Sequence, residues 1–312
     1  MPHPRPFRFG LMAAAAGSKT EWLDLARKAE GLGYSTMLMP DHFPGQLAPI
    51  PALAAAAAAT DELRIGTLVA ANDFRHPAMF AKEAATLDVL SDGRLELGIG
   101  AGWMNEDYSM TGIPHDRAGV RIDRMTEAVE VLRGFWGDGA FSFSGEHYTI
   151  DNLDGAPKPV QAGGPPLVIG GGGKRMLSTA ARLADIVGVN PNVHEGTVGA
   201  AALASMRAEA TDEKLEWVKA AAGDRFDDLE ISILKFVAVV TDDRDGTAAA
   251  VGGGMGLEPA DVLGSPHIMI GSPDQIVEEL QEQRERWHGS YVTVQADAID
   301  AFAPVVAQLA GT

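Results

Sequence analysis

Eight times along this chain a short apolar run of the kind that makes a buried strand is followed by apolar residues at helical spacing, and no other feature narrows the fold as far. The strand-like runs lie at residues 7–12, 35–40, 63–71, 94–100, 167–171, 185–189, 229–240 and 290–295. Between them Trp22, Leu25, Ala26, Ala29 and Leu32 make a helical stripe that stops at Gly33. Phe80, Ala84, Leu87 and Leu90 make a second stripe, and Ile122, Met125, Val129 and Leu132 a third. An Ala-rich helix over 51–60, helices near 174–183, 273–287 and 297–309, and a long polar helix through Trp217 complete the alternation, with Gly252 to Gly256 read as a glycine-rich loop. The strands are apolar throughout, the pattern of parallel strands covered on both faces. Eight such units in 312 residues predict an α/β fold of the (β/α)8 TIM-barrel type. A doubly wound sheet is the other architecture, and it needs about two fewer strands. One domain over 1–312 is expected, with a hairpin inserted near 137–165, where Phe141 to Ile150 alternates about a turn, and a variable region near 193–265.

Charge removes several functions. The chain carries 25 Lys+Arg against 43 Asp+Glu, a net charge of −18 that repels phosphate backbones and anionic lipid, so neither a nucleic acid nor a membrane is an expected partner. It has no cysteine, which excludes disulfides, thiolate nucleophiles, iron–sulfur clusters and Cys-ligated zinc. No metal is expected, since His194 and His267 stand alone and no His-Glu-x-x-His helix occurs. Arg5 and Arg8 before an Ala-rich run imitate a leader, but Gly10 breaks the short apolar stretch and residues 7–12 alternate as a first strand does. With no apolar run of ~18 residues, a cytoplasmic protein is expected.

In a barrel, chemistry gathers where strands end and the following loops begin. The second strand ends in Pro40-Asp41-His42-Phe43, the third in Ala71-Asn72-Asp73-Phe74-Arg75-His76-Pro77, the fourth in Gly102-Trp103-Met104-Asn105-Glu106, and the fifth in Gly170-Gly171-Gly172-Gly173-Lys174. Glycines opening a helix leave backbone amides bare to surround a phosphate, or merely permit a tight turn. The run is not a Walker loop, because Val168 and Arg175 stand where Gly and Ser or Thr are required, and Gly98, Gly100 and Gly102 miss the dinucleotide fingerprint at Trp103. Adjacent strand residues point to opposite faces, so only one of Asp41 and His42 is expected to aim at the mouth. His42 there either exchanges a proton near neutral pH or caps the strand through a carbonyl. His76 before Pro77 reads as structural, an extended residue ahead of a helix, and Met37 and Met39 as core filler.

These segments resemble the luciferase-like monooxygenase superfamily, and within it the branch of oxidoreductases that use the deazaflavin coenzyme F420. The likeness covers most of 7–192 and rests on Glu30-Gly31-Leu32-Gly33-Tyr34, Pro40 to Phe43, Asn72 to Ala78, Leu90-Ser91-Asp92-Gly93-Arg94, Leu97 to Trp103 and Ile169 to Gly173. Beyond about residue 195 only the pattern matches. The resemblance implies a bacterial luciferase-like barrel with F420, or alternatively FMN, across its mouth. It places Asp41 and His42 beside the cofactor ring, with His42 the catalytic residue, as proton donor or ring-stabilising group, and a bulge with a non-prolyl cis peptide behind the ring near Leu68, Val69 and Ala70. It also brings Asn72 and Trp103 to the cofactor and sets Gly171, Gly172, Gly173 and Lys174 on its phosphate. Sugar-phosphate dehydrogenases of this family carry Glu where this chain has Trp103, so the implied substrate is a small, apolar organic molecule. The implied activity is F420-dependent hydride transfer, with an FMN-dependent monooxygenase as alternative, a homodimer admitted as the assembly, and a non-catalytic ligand-binding barrel as the reading from another class.

Overall fold

All eight strands form, and in the computed structural model, which describes residues 4–312, they hydrogen-bond side by side into one closed parallel ring. They are β1 (Arg8–Met12), β2 (Thr36–Met39), β3 (Arg64–Thr67, resumed at Ala70–Ala71), β4 (Leu95–Gly100), β5 (Leu167–Gly171), β6 (Ile186–Val189), β7 (Glu230–Leu234) and β8 (Gly289–Gln295). Strands adjacent in sequence are adjacent in the ring, and β8 closes onto β1 with Arg8 opposite Tyr291 and Met12 opposite Gln295. The closure decides for a (β/α)8 barrel, since a doubly wound sheet ends in two open edges.

Strand alternation sorts the apolar residues into two layers. Leu38, Val168, Ile186 and Tyr291 meet inside the ring with Leu68 and Val69 against them, while Met37, Met39, Ile65, Leu97 and Val187 join the core under the surrounding helices. The helix Pro77–Leu90 buries Phe80, Ala84 and Leu87 of the stripe read from spacing but leaves Leu90, its last residue, exposed, and the helix Ala118–Trp136 buries Ile122, Met125, Val129 and Leu132 as read. His76 caps the first of these, its ring Nδ1 accepting the Ala78 N–H at 3.2 Å. No helix among the described residues is long and apolar enough to cross a membrane.

Two expectations fail after β6. The run 229–240 is not one strand: β7 ends at Leu234, and Val237–Val240 pairs instead with Ile268–Gly271 outside the ring. Lys235 makes the break, because its fully buried Nζ donates to Pro266 O and Gln283 Oε1, both at 2.6 Å, and turns the chain away from the barrel. The glycines at 252–254 form no loop but lie within the helix Arg244–Met255, where a Cβ on Gly252 would meet Leu257 O at 2.5 Å. That outer strand pair and the helices Ala200–Ala204, Arg244–Met255 and Pro259–Leu263 enclose a small core of their own around Met206, Ala248, Val262, Ile268 and Ile270. The hairpin forms from Ala140–Ser144 and Thr149–Asp154.

The N-terminal end of the ring is sealed by charge. Arg8 binds Glu230 through two nitrogens at 2.6 and 2.7 Å and Glu96 at 2.5 Å, and Arg64 reaches the same Glu96 oxygen at 2.7 Å. Tyr291 donates to the other Glu96 oxygen at 3.1 Å and lies under the Arg8 guanidinium, 3.5 Å from its ring centre. Burial and the neighbouring carboxylate push the Tyr291 hydroxyl well above its ordinary range, so it remains a donor.

Candidate active site

The opposite end of the ring opens into a cavity of ≈ 460 Å³ built from the C-terminal ends of β1 to β7 and their loops. Asp41, His42, Leu68, Val69, Trp103, Gly171, Gly172 and Gly173 all line it. Ala70, Asn72 and Lys174 do not: Ala70 turns into the helix-covered core, Asn72 donates to the Tyr148 hydroxyl at 3.1 Å, and Lys174 is exposed on the first turn of its helix.

Asp41 and His42 both reach the cavity, against the alternation expected of them, because β2 ends at Met39 and the next residues are no longer pleated. Their partners differ. Asp41 accepts the Ala71 N–H at 3.0 Å and pairs with Arg75 at 2.7 Å, tying the end of β2 to the end of β3. His42 gives its Nδ1 to Asp107 Oδ2 at 2.6 Å and presents its ring at 89° to Trp103, the centroids 5.6 Å apart. It is not a strand cap through a carbonyl. Asp107 escaped the sequence reading: it lies on the short helix Asn105–Thr111, and nothing in its spacing from His42 announces the contact.

On the same cavity, the Leu68–Val69 peptide is cis, at the position the resemblance implied. Gly66 stands opposite Glu96 but Ala70 opposite Ile99, so four residues of β3 span three of β4, and the extra one bulges toward the cavity. The glycines of β4 are explained by that bulge. A Cβ on Gly98 would lie 1.9 Å from Thr67 O, and one on Gly100 2.6 Å from a Val69 methyl.

Beyond β5, Gly173 is the N-cap of the helix Lys174–Leu183, and no side chain caps it. The first amides of such a helix have no internal acceptor and face outward, the arrangement that holds phosphate. Gly172 and Gly173 are glycines for different reasons. A Cβ on Gly172 would sit 2.2 Å from Pro191 O, so packing alone demands glycine, whereas around Gly173 the nearest atoms are 4.0 Å away, on Asn192. Bare amides with room before them suit the phosphate of a flavin or deazaflavin; the bulge, Trp103 and the apolar wall suit its ring.

The far wall comes from the region read only as variable. Leu203, Met206, Leu234, Phe236 and Met255 line it, several of them belonging to the small outer core, which makes that side of the cavity apolar.

The luciferase-like monooxygenase family profile matches residues 5–303. The chain is 31% identical over 201 residues to the FMNH(2)-dependent dimethylsulfone monooxygenase of Pseudomonas fluorescens (strain Pf0-1), covering 60% of this chain and 54% of that protein. It is 31% identical over 189 residues to the F420-dependent glucose-6-phosphate dehydrogenase of Microbacterium testaceum (strain StLB037), covering 58% of this chain and 55% of that one. These matches thus span little more than half the length of either relative. In fold it is similar to the coenzyme F420 dependent tetrahydromethanopterin reductase of Methanopyrus kandleri, with a TM-score of 0.79 and 18% identity over 98% of this chain and 99% of that one. With a family match running almost from end to end of a barrel whose mouth carries the expected motifs, the chain belongs to the luciferase-like monooxygenase family.

Proposed function

We propose that this protein is an F420-dependent oxidoreductase that transfers a hydride between the deazaflavin and a small apolar substrate, with His42 handling the accompanying proton. The observation that carries the reading is an imidazole whose Nδ1 is held by buried Asp107 while the ring lines an apolar cavity. When bound, the cofactor supplies or accepts the hydride. Whichever way the hydride moves, one proton leaves or joins the substrate, and Nε2 of His42 is the ring nitrogen free to exchange it. Asp41 holds the ends of β2 and β3 together at that point; the bulge at Leu68–Val69 would back the ring of the cofactor, and Gly171, Gly172 and Gly173 with the helix behind them would hold its phosphate. The similarity to the Microbacterium testaceum dehydrogenase supports the cofactor; Trp103 and the wall of Met206, Phe236 and Met255 support an apolar substrate in place of a sugar phosphate.

The similarity to the Pseudomonas fluorescens monooxygenase favours a second reading, FMN-dependent oxygenation in the same cavity. Titrating purified protein with F420 and with FMN separately, followed by fluorescence, separates the two. Selective F420 binding, and oxidation of reduced F420 by an apolar carbonyl or enone compound without oxygen uptake, is the expected result. Selective FMN binding with substrate-dependent oxygen consumption overturns it.

A further inference from the structure

We infer that Asp107 is a positioning residue that sets which nitrogen of His42 carries the hydrogen, and so keeps the cavity-side nitrogen a proton acceptor when the ring is neutral. This rests on His42 exchanging the proton, as proposed above, and adds a second residue on which that exchange depends.

A count of donors fixes the tautomer. Asp107 is 1% exposed, and its two oxygens have separate duties. Oδ1 accepts the backbone N–H of Phe43 at 3.0 Å, and Oδ2 faces His42 Nδ1 at 2.6 Å. A carboxylate accepts and cannot donate, so the hydrogen of a neutral His42 must sit on Nδ1. Nε2 is then left with a lone pair. The Phe43 contact also keeps the carboxylate from turning: the segment just after β2 and the helix Asn105–Thr111 are joined by two bonds, and both orient the same imidazole.

Because Phe43 always donates, the consequence of Asp107→Asn follows from the same count. Only the amide oxygen can stay on the Phe43 N–H, which turns the amide NH2 toward His42. Nδ1 must then accept, and the hydrogen moves to Nε2. The substitution is almost isosteric and leaves a hydrogen bond at each contact, yet inverts the tautomer, an inversion that in a Ser-His-Asp triad costs about 10⁴-fold in turnover.

The experiment needs no cofactor. Protein labelled with nitrogen-15 in its imidazoles gives, by long-range proton–nitrogen correlation, the hydrogen-bearing nitrogen of each of its eight histidines, with His42 assigned by its loss in His42→Asn. At a pH where the ring is neutral, wild type is expected to carry the hydrogen on Nδ1 and Asp107→Asn on Nε2. A wild-type His42 with the hydrogen on Nε2, or an Asp107→Asn variant that keeps it on Nδ1, overturns the assignment. If Asp107→Asn does not fold, the wild-type spectrum still decides. Turnover separates this inference from the reading it rests on: a His42→Asn enzyme that transfers hydride at the wild-type rate removes the role of His42 whatever its tautomer. Loss of turnover in that variant with an unchanged tautomer in Asp107→Asn removes only the role of Asp107.

Discussion

The two ends of this barrel are made from the same eight strands and handle polar atoms in opposite ways. At the N-terminal end Arg8, Arg64, Glu96, Glu230 and Tyr291 satisfy one another, charge against charge, and fill the space between the strands. At the C-terminal end the strands finish in glycines, a bulge and aromatic residues around a cavity, and two of the polar groups there are held on one side only: His42 by Nδ1, and the helix at Gly173 by its carbonyls but not its first amides. A closed network stabilises and binds nothing further. A half-satisfied one is where a ligand completes the structure. The difference predicts that changes at the two ends separate stability from function, and each experiment below tries to make that separation fail.

The largest effect is expected at the open end. His42→Asn should lower the rate of hydride transfer by about 10²–10⁴-fold, the usual contribution of general acid–base catalysis, while altering stability by no more than ~1 kcal/mol. Single-turnover rates and thermal midpoints measured on the same preparation check it. A variant that melts early and turns over normally would place His42 with the structural residues of the closed end.

The converse change is Glu96→Gln. Glu96 is the buried carboxylate shared by two half-buried arginines and a tyrosine, and neutralising it leaves Arg8 and Arg64 facing an amide. Breaking one partner of a buried ion network costs about 3–5 kcal/mol, to be read from urea unfolding. Cofactor affinity per folded molecule should be unchanged. A large loss of affinity with intact stability would mean that the two ends are coupled through the strands.

How much of this was legible beforehand depended on whether the cause was local. The eight strands were, because burial on both faces writes an apolar run into each of them. So were His42 and the Gly171 to Gly173 turn, since motifs at strand ends carry them, whereas the bulge at Leu68–Val69 followed only from the family resemblance. Asp107 was not, since its contact with His42 joins residues 65 apart in sequence, and an Asp in the first turn of a helix reads as an ordinary cap or surface charge. The split of 229–240 was hidden for a related reason. Lys235 looks like one polar residue in an apolar strand until Gln283 and Pro266, distant in sequence, are seen to receive it. Gly252 to Gly254 misled by composition alone: the close approach of Leu257 explains the small residue at Gly252, while nothing stands within 4 Å of a Cβ on Gly253 or Gly254.

Two neighbouring glycines sharpen the contrast within the open end. Gly173→Ala adds a methyl where the nearest atoms are 4.0 Å off, at a backbone conformation (φ −103°, ψ 150°) that alanine accepts, so folding should be unchanged or slightly improved. If a phosphate sits on these amides, the methyl intrudes on it, and F420 affinity should fall about 10- to 100-fold. Gly172→Val cannot answer the question, because its Cβ would collide with the Pro191 backbone and the loss of structure would imitate a loss of binding. Unchanged affinity in Gly173→Ala would leave the glycine run a purely steric device.

The smallest effect concerns a second histidine that resembles His42 in its bonds and differs in its access. His267 gives its Nδ1 hydrogen to Leu234 O at 3.0 Å and has no partner at Nε2, yet it is wholly buried behind the cavity wall, where no ligand reaches it. Burial, with Lys214 and Lys235 nearby, lowers its pKa to about 3. Below its ordinary ~6.5 the unfolded chain therefore binds a proton that the folded chain refuses. The stabilising contribution is complete above that pH and is lost as pH falls toward 3, with a slope of at most ~1.4 kcal/mol per pH unit. His267→Gln can still donate to Leu234 O but cannot titrate. It should be less stable at pH 7 and lose about 1 kcal/mol less than wild type between pH 7 and 5.5 in urea unfolding. Equal losses would show that His267 takes up a proton inside the folded protein, and hence that water or a ligand reaches it. An unpartnered nitrogen would then mark a second opening in the barrel, where the structure shows only a sealed wall behind the first.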